Sequence, residues 1–261
     1  MSQTIDLILF DLPVYTAFVF LGAAMGLSVA FWYLRQRARR AITPVIFLDG
    51  ALIVCAAGWL GARAYHVALN WEYYAARPDE IAQIGAGGLA MRGAFVTGLI
   101  ALVIFARVRA LRLGKLADAS ALGLAAGQAI GWIGALARGA NYGVVSDSPI
   151  ALELPDVYGL FAPRFPLQHF EIGLFVSLFV GLIALAMQKP RAGTLFLVYV
   201  LIAAAANFAL GFQRGDETIY VGALRVDQIM DLFLGAGAFG ALIFVSLRAE
   251  RNDNSKIGTD C

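Results

Sequence analysis

The sequence predicts an all-α, polytopic membrane protein with seven transmembrane helices, an external N-terminus and a cytoplasmic C-terminus. Three observations support this prediction. The 261 residues are 60% hydrophobic and 15% charged, whereas soluble domains carry about 25% charged residues. Seven apolar runs are each long enough to form the helix of about 20 residues that crosses a bilayer. Basic clusters follow alternate runs, as the positive-inside rule expects of cytoplasmic loops.

The seven apolar runs follow one another along the chain. They span residues 13–34, 42–66, 87–105, 116–137, 169–187, 193–212 and 226–247. The first, third, fifth and seventh are each followed by Arg or Lys, so we expect them to run inward. Their clusters are Arg35, Arg37, Arg39 and Arg40; Arg107, Arg109, Arg112 and Lys115; Lys189 and Arg191; and Arg248 and Arg251. We expect a single domain over 1–247 and a disordered cytoplasmic tail over 248–261.

The fourth helix and the loop after it contain the sequence features on which the functional prediction is centred. Gly123, Gly127 and Gly131 lie four residues apart on one helix face, a pattern that lets transmembrane helices approach until their backbones touch. The helix ends near Arg138, the first residue of the longest predicted external loop, 138–168. The sequence therefore places a cation and a glycine-containing loop at one edge of the bilayer. A plain packing helix that ends in an interfacial arginine would give the same pattern.

Seven arginines fall outside the cytoplasmic clusters and oppose the positive-inside bias. They are Arg63, Arg77, Arg92, Arg138, Arg164, Arg214 and Arg225. Arginine binds phosphate in bidentate fashion and is weakly hydrated. We therefore expect at least three of them to converge on the anionic headgroup of a lipid in the outer leaflet. The alternative is that each pairs separately with a nearby carboxylate. The candidates are Asp147, Glu153, Asp156, Glu171, Asp216 and Asp227.

Candidate proton acceptors are few. His66 and His169 are the two histidines of the chain. Each lies near the predicted outer face, where an imidazole can act as a general base or as an ordinary interfacial residue. Asp227 and Asp231 lie one turn apart on the last helix, and we expect them to pair with arginines rather than to bind a cation. No Cys pair or helical His pair has metal-binding spacing, so we expect no metal or other cofactor. The composition does not suggest nucleic acid as a partner.

Four motifs combine glycine or proline with polar residues. They are Gly-Gly-Leu-Ala-Met-Arg-Gly-Ala at 87–94; Gly131, Gly134, Gly139 and Gly143 around the end of the fourth helix; Pro-Arg-Phe-Pro-Leu-Gln-His-Phe-Glu at 163–171; and Phe-Gln-Arg-Gly-Asp at 212–216. In order and type, these motifs resemble those of the prolipoprotein diacylglyceryl transferases. The resemblance extends from Tyr15 to Gln228.

The polar signature of that family is replaced at several positions. Arg92 stands where the family has His, and Trp132, Ala135, Arg138 and Ala140 stand where Arg, Asn, Asn and Glu are expected. Arginine does not accept a proton at neutral pH, so Arg92 cannot act as that histidine would. The resemblance implies transfer of diacylglyceryl from phosphatidylglycerol, or another anionic phospholipid, to the cysteine thiol of a lipobox-containing prolipoprotein. It also implies a multi-pass protein of the bacterial inner membrane, surrounded by membrane lipids.

The resemblance suggests a role for each candidate side chain. Arg63, Arg92 and Arg138 would bind the phosphate, with Arg164 and Arg214 near it. Gln168 and Glu171 would orient these cations. His66 is the leading candidate for the base, and Tyr15 and His169 are the others. The glycines at 131, 134, 139 and 143 would shape the site.

Two other functions stay open at this point. The replaced polar residues favour a paralogue that binds phospholipid or lipoprotein without turnover. A transporter would need a polar path between the two faces of the membrane. Asp49, Asp118 and Asp231 are the acids available inside helices, and they are too sparse to form such a path.

Overall fold

The part of the chain that the structure describes is mostly helical. This computed structural model describes residues 4–7, 10–38, 41–83 and 87–257, with side chains for 14–38, 41–83 and 87–247. Helices make up 72% of the structure, and within the described residues seven of them are long and apolar enough to cross a membrane. The predicted all-α fold with seven spans is therefore confirmed. The orientation of the termini stays a prediction.

The spanning helices lie close to the predicted runs. They are α1 (Val14–Arg37), α2 (Pro44–Leu69), α4 (Met91–Val108), α5 (Leu113–Arg138), α6 (Leu167–Met187), α7 (Thr194–Gly211) and α8 (Val226–Ile257). A short helix, α3 (Trp71–Ala75), and a 3-10 helix (Pro78–Ala82) lie between α2 and α4.

Two helix ends differ from the sequence prediction by more than three residues. Gly87 and Gly88 have φ angles of 96° and 72°, which are incompatible with a right-handed helix, so the third span begins at Met91 rather than at 87. The sequence predicts a disordered tail over 248–261, but α8 continues to Ile257. The helical part of that tail contains no Gly or Pro that would end a helix.

Three antiparallel β-hairpins, which the sequence analysis does not predict, connect or precede helices in the described residues. They are β1–β2 (Thr4–Leu7 and Phe10–Pro13), β3–β4 (Leu152–Pro155 and Phe161–Arg164) and β5–β6 (Tyr220–Val221 and Leu224–Arg225). Their strands have two to four residues, which is too short for an alternating apolar pattern to stand out in the sequence.

The chain divides into two compact units. The larger unit contains Met1–Ala30 and Asp118–Cys261, and the smaller unit contains Phe31–Ala117. In the larger unit α7 packs against α6 and α8, and in the smaller unit α2 packs along α4. The single domain expected over residues 1–247 stays a prediction.

Backbone contact between α1 and α5 stabilises the larger unit. A Cβ atom built on Gly123 would lie 2.5 Å from the carbonyl oxygen of Gly26, and one on Gly127 would lie 2.7 Å from that of Gly22. These distances leave no room for a side chain, so the predicted small-residue face is confirmed at both positions. Gly131 behaves differently, because a Cβ atom there would meet no other atom within 4 Å.

Asp118 joins α5 to the start of α7. Its carboxylate accepts hydrogen bonds from the backbone N–H of Gly193 at 2.8 Å and of Phe196 at 3.1 Å. It therefore supplies the N-terminal cap that the sequence of α7 lacks. The residue is 2% exposed. One of the three intramembrane acids considered for a polar path thus has a structural role.

Candidate active site

The loop after α5 forms the middle of a small three-stranded arrangement in the larger unit. Its central segment, residues 142–146, forms backbone hydrogen bonds with residues 163–165 on one side and 213–215 on the other. Four of these bonds are each 2.9 Å long. Arg164 and Arg214 are paired across this segment with Val145 and Gly143, respectively. Two of the predicted phosphate ligands therefore lie on segments that flank the same strand.

Two of the predicted site glycines permit this close packing. A Cβ atom on Gly143 would collide with the carbonyl oxygen of Phe165. A Cβ atom on Gly139 would collide with the carbonyl oxygen of Asp156 and lie 2.8 Å from that of Pro155. Gly139 also has a φ of 67°, which L-residues adopt at a cost. The path of the loop therefore depends on both glycines.

Arg138 ends α5 with an exposed side chain. One turn earlier, Gly134 lies against α1, where a Cβ atom would come within 2.6 Å of the Cβ of Phe18. The charge of Arg138 acts on the phenol of Tyr15, which lies at the start of α1. Within the part of the chain that the structure describes, Arg138 makes no ion pair or hydrogen bond through its side chain. Its whole guanidinium is therefore available to an anion.

Arg214 is held in a fixed orientation by two side chains. Its Nε and Nη2 atoms donate to the two carboxylate oxygens of Asp216 at 2.9 and 2.6 Å. Nη2 also donates to the side-chain oxygen of Asn141 at 2.9 Å. Arg225, which is 2% exposed, donates to the same carboxylate at 3.0 Å. The Nη1 atom of Arg214 has no hydrogen-bond partner among the described residues, so this edge can still bind an anion.

Opposite charges keep this cluster ionised. Burial favours a higher pKa for the Asp216 carboxyl, but the hydrogen bond from Arg214 and the charges of Arg214 and Arg225 hold that pKa below its usual value. Burial also favours a lower pKa for Arg214, but Asp216, together with the charges of Asp227 and Glu171, raises it. The buried cations are thus balanced by carboxylates. An added anion needs a further cation from outside the cluster.

Arg164 forms its own ion pair. Its Nη2 atom donates to Asp156 at 3.0 Å, and both side chains are 9% exposed. The guanidinium carbon lies 4.6 Å from the centre of the Tyr142 ring. Asp156 also accepts from the backbone N–H of Tyr158 at 2.9 Å and of Leu160 at 3.0 Å. Arg164 therefore pairs with a carboxylate of its own, as the alternative left open by the sequence expects. Its contacts hold the β3–β4 hairpin in place.

The first five residues of α6 include three of the predicted site residues. Gln168 and Glu171 are each 1% exposed, whereas His169 is exposed. The side-chain amide of Gln168 donates to the backbone oxygen of Ala140 at 3.1 Å, which ties α6 to the loop after α5. Glu171 is near enough to Arg214 for their charges to interact. These contacts suit an orienting role for Gln168 and Glu171.

Arg63 lies at the centre of a cage of backbone carbonyl groups in the smaller unit. Its five N–H groups all have carbonyl partners in one loop, and its guanidinium lies 5.1 Å from the centre of the Tyr74 ring. The accepting oxygens belong to Glu80 at 2.6 Å, Ile81 at 2.9 Å, Gln83 at 3.5 Å, Gly87 at 2.9 Å and Gly88 at 3.2 Å. A phosphate would have to displace these bonds. The contacts therefore favour a loop-holding role for Arg63 over the phosphate-binding role suggested by the sequence.

Replacing Arg63 by Met should loosen this loop, because its partly buried carbonyl oxygens would lose hydrogen bonds worth about 1 kcal/mol each. We expect proteolytic cleavage between residues 77 and 88 to become at least about tenfold faster. Arg77→Met is the matched control, because Arg77 is half-exposed and its side chain contacts the same loop only through a 3.8 Å ion pair with Glu80 and the ring of Tyr73. Equal cleavage rates in the two variants would contradict the loop-holding role.

His66 lines a polar pocket of about 380 Å³ in the smaller unit. Gly88 packs against its ring, because a Cβ atom there would lie 2.8 Å from the imidazole Nε2. The ring also meets Tyr74 edge-on at 6.0 Å. Arg92, in the first turn of α4, belongs to the same unit. Convergence of three arginines from both units on one headgroup stays a prediction.

Two members of the Arg214 cluster are absent from the set of residues that the sequence predicts for the site. Asn141 has a φ of 51°, a left-handed conformation that Asn tolerates better than most residues. Its position between Gly139 and Gly143, two of the predicted site glycines, is a sequence signal that could have identified Asn141 as a site residue. Arg225 directly precedes α8 and belongs to the seven arginines outside the cytoplasmic clusters. No sequence pattern indicates that it shares a carboxylate with Arg214.

Comparison with known proteins gives one consistent result. The model of the prolipoprotein diacylglyceryl transferase family matches residues 4–244. Relatives from Bacillus licheniformis, Bacillus cereus and Thermosynechococcus vestitus are each named phosphatidylglycerol–prolipoprotein diacylglyceryl transferase. The first is 32% identical over 84% of this chain and 83% of its own length. The second is 32% identical over 94% and 91%, and the third is 30% identical over 83% and 84%.

Proposed function

The chain belongs to the prolipoprotein diacylglyceryl transferase family, and from this premise we propose that it transfers diacylglyceryl from phosphatidylglycerol to the cysteine thiol of a prolipoprotein. The observation that carries the proposal is the exposed guanidinium of Arg138 at the end of α5, which makes no ion pair or hydrogen bond with the described residues. The protein crosses the membrane several times, and we propose the bacterial inner membrane as its location.

The proposed reaction is a displacement at carbon. The thiolate sulfur attacks the glyceryl carbon that carries the phosphate ester, a sulfur–carbon bond forms, and the carbon–oxygen bond breaks to release glycerol phosphate. Arg138 would neutralise the phosphate and stabilise the charge that grows on it as it leaves. The free edge of Arg214 would add a second donor, already oriented by Asp216 and Asn141.

The thiol must lose its proton before it attacks. Free cysteine has a pKa of about 8.5, and nearby cations lower it. Tyr15, His66 and His169 are the candidate bases.

Single variants should identify the base. One of Tyr15→Phe, His66→Ala and His169→Ala should lower the transfer rate about 10²–10⁴-fold and change the pH profile of the rate, because general-base catalysis contributes that much. The assay follows modification of a lipobox peptide by mass spectrometry from pH 6 to pH 9. If all three variants keep the wild-type rate and profile, a single essential side-chain base is the wrong mechanism.

Rescue of a transferase-depleted bacterium tests the proposed function. We expect the chain to restore growth and to restore lipid modification of the host's lipoproteins. Failure to rescue, with the protein present in the membrane in normal amount, would contradict turnover. Binding of phospholipid or lipoprotein without turnover is the remaining alternative, and no observation favours it over transfer.

A further inference from the structure

The turn of the β3–β4 hairpin exposes a cluster of apolar side chains that the proposed reaction does not use. We call these four residues the hairpin tip. They are Val157, Tyr158, Leu160 and Phe161, exposed by 44%, 78%, 65% and 69%. The sequence from Val157 to Pro163 contains no charged residue. An exposed apolar cluster of this kind in a connecting loop marks an interaction surface.

The hairpin presents its tip on a rigid support. The carboxylate of Asp156 accepts two backbone N–H bonds of the turn and pairs with Arg164 inside the loop. Gly159 completes the turn with a φ of 82°, and a Cβ atom there would meet no other atom within 4 Å. The tip is therefore ordered without being covered by other described parts of the chain.

The base of the hairpin is tied to a spanning helix. Phe165, which follows β4, stacks on Phe170 in the first turn of α6, with ring centres 5.0 Å apart and planes 16° apart. α6 begins at Leu167, so the hairpin directly precedes this spanning helix along the chain. Along the hairpin, the exposed carboxylate of Glu153 lies on β3, away from the uncharged tip. The exposed charge and the apolar tip therefore lie at opposite ends of the hairpin.

We propose that the hairpin tip inserts into the interfacial region of the lipid leaflet beside α6. Aromatic residues with a polar end, such as Tyr158, favour this region. The β5–β6 hairpin of the same unit also precedes a spanning helix, α8, and its first strand carries the exposed Tyr220 and Val221. A two-stranded turn forms a ridge, which suits insertion between lipids better than enclosure of a peptide, which needs a concave site.

Spin labelling tests the insertion. In a background with Cys55→Ser and Cys261→Ser, a nitroxide is attached at Tyr158→Cys or, as the control, at Asp147→Cys in the exposed part of the same loop. The full chain is reconstituted into vesicles of phosphatidylglycerol and phosphatidylcholine. We expect the ratio of oxygen to nickel-chelate collisions to be at least about threefold higher at 158 than at 147, because oxygen partitions into lipid and the chelate into water.

Two results would overturn the proposal. One is an equal collision ratio at positions 158 and 147 in protein that keeps its wild-type unfolding midpoint. The other is a label at 158 that is shielded from the nickel chelate only after a lipobox peptide is added, which would make the tip a peptide-docking surface. As a second measurement, Leu160→Ser with Phe161→Ser should lower the ratio at 158 to that at 147. An unchanged ratio in this variant would also count against insertion.

Discussion

Arg138→Ala should lower the rate of diacylglyceryl transfer about 10²–10³-fold, the usual effect of removing one donor to a developing charge. The midpoint of unfolding should stay close to that of the wild type, because the side chain is exposed and makes no ion pair or hydrogen bond with the described residues. Arg138→Lys should recover part of the rate, because Lys keeps the charge but loses the planar fork.

The measurement is the rate of peptide modification in vesicles of graded phosphatidylglycerol content. Arg77→Ala is the control, because Arg77 is also accessible to solvent, at 51% exposure, and the sequence places it on the same side of the membrane. We expect Arg138→Ala to lower the rate at saturating phosphatidylglycerol. We also expect it to raise the phosphatidylglycerol content that gives half of the maximal rate. Equal losses in Arg138→Ala and Arg77→Ala would indicate a nonspecific effect of surface charge and contradict the assignment.

Gly139→Ala should abolish transfer and destabilise the protein by about 2–4 kcal/mol, the combined cost of a left-handed backbone for a non-glycine residue and of a steric clash. The methyl group would collide with the carbonyl oxygen of Asp156. The chain would then have to shift at Ala140 and Asn141, the contacts of Gln168 and Arg214. Both the orientation of Arg214 and the position of the loop would be lost.

Gly131→Ala is the matched control for this substitution. Gly131 belongs to the same set of predicted site glycines, but a Cβ atom there meets no atom within 4 Å. We expect its free energy of unfolding to stay the same or to rise by up to about 1 kcal/mol, because Ala favours a helix over Gly, and its transfer rate to stay at the wild-type level. The two variants are compared by unfolding in detergent and by peptide modification. A loss in Gly131→Ala as large as that in Gly139→Ala would show that helix packing, rather than the loop, limits the activity.

The membrane-spanning helices were predictable because a helix surrounded by lipid must be apolar along its whole length. About 20 consecutive apolar residues are needed to cross a bilayer, and solvent-exposed loops do not contain apolar stretches of this length. The contact of Gly123 and Gly127 with α1 was predictable for a related reason, because close helix approach requires small residues at helical spacing. Gly131 fits the same pattern, and its backbone nitrogen would lie 3.5 Å from a Cβ atom on Gly22 of α1, but its own Cβ direction is open and the next tight contact is made by Gly134. The spacing of the glycines does not say which of them points at the neighbouring helix.

The partners of individual arginines could not be predicted. The sequence shows that Arg63 opposes the positive-inside bias, but not that a loop of left-handed glycines turns its carbonyl groups toward it. Likewise, Arg214 and Arg225 share one carboxylate through a hairpin of two-residue strands, which leaves no periodic signal. The partners of these arginines depend on the conformation of the loops. In a single sequence, Gly and Pro are the main residues that indicate loop conformation, so the partners could not be identified.

The most direct test is a balance of products from the purified chain in phosphatidylglycerol vesicles with a lipobox peptide. We predict that each modified peptide carries one diacylglyceryl group on its cysteine sulfur, that one glycerol phosphate is released with it, and that a peptide with Ser in place of Cys stays unmodified. A chain that binds phosphatidylglycerol at Arg138 but releases no glycerol phosphate in the presence of the peptide would contradict the proposed transfer.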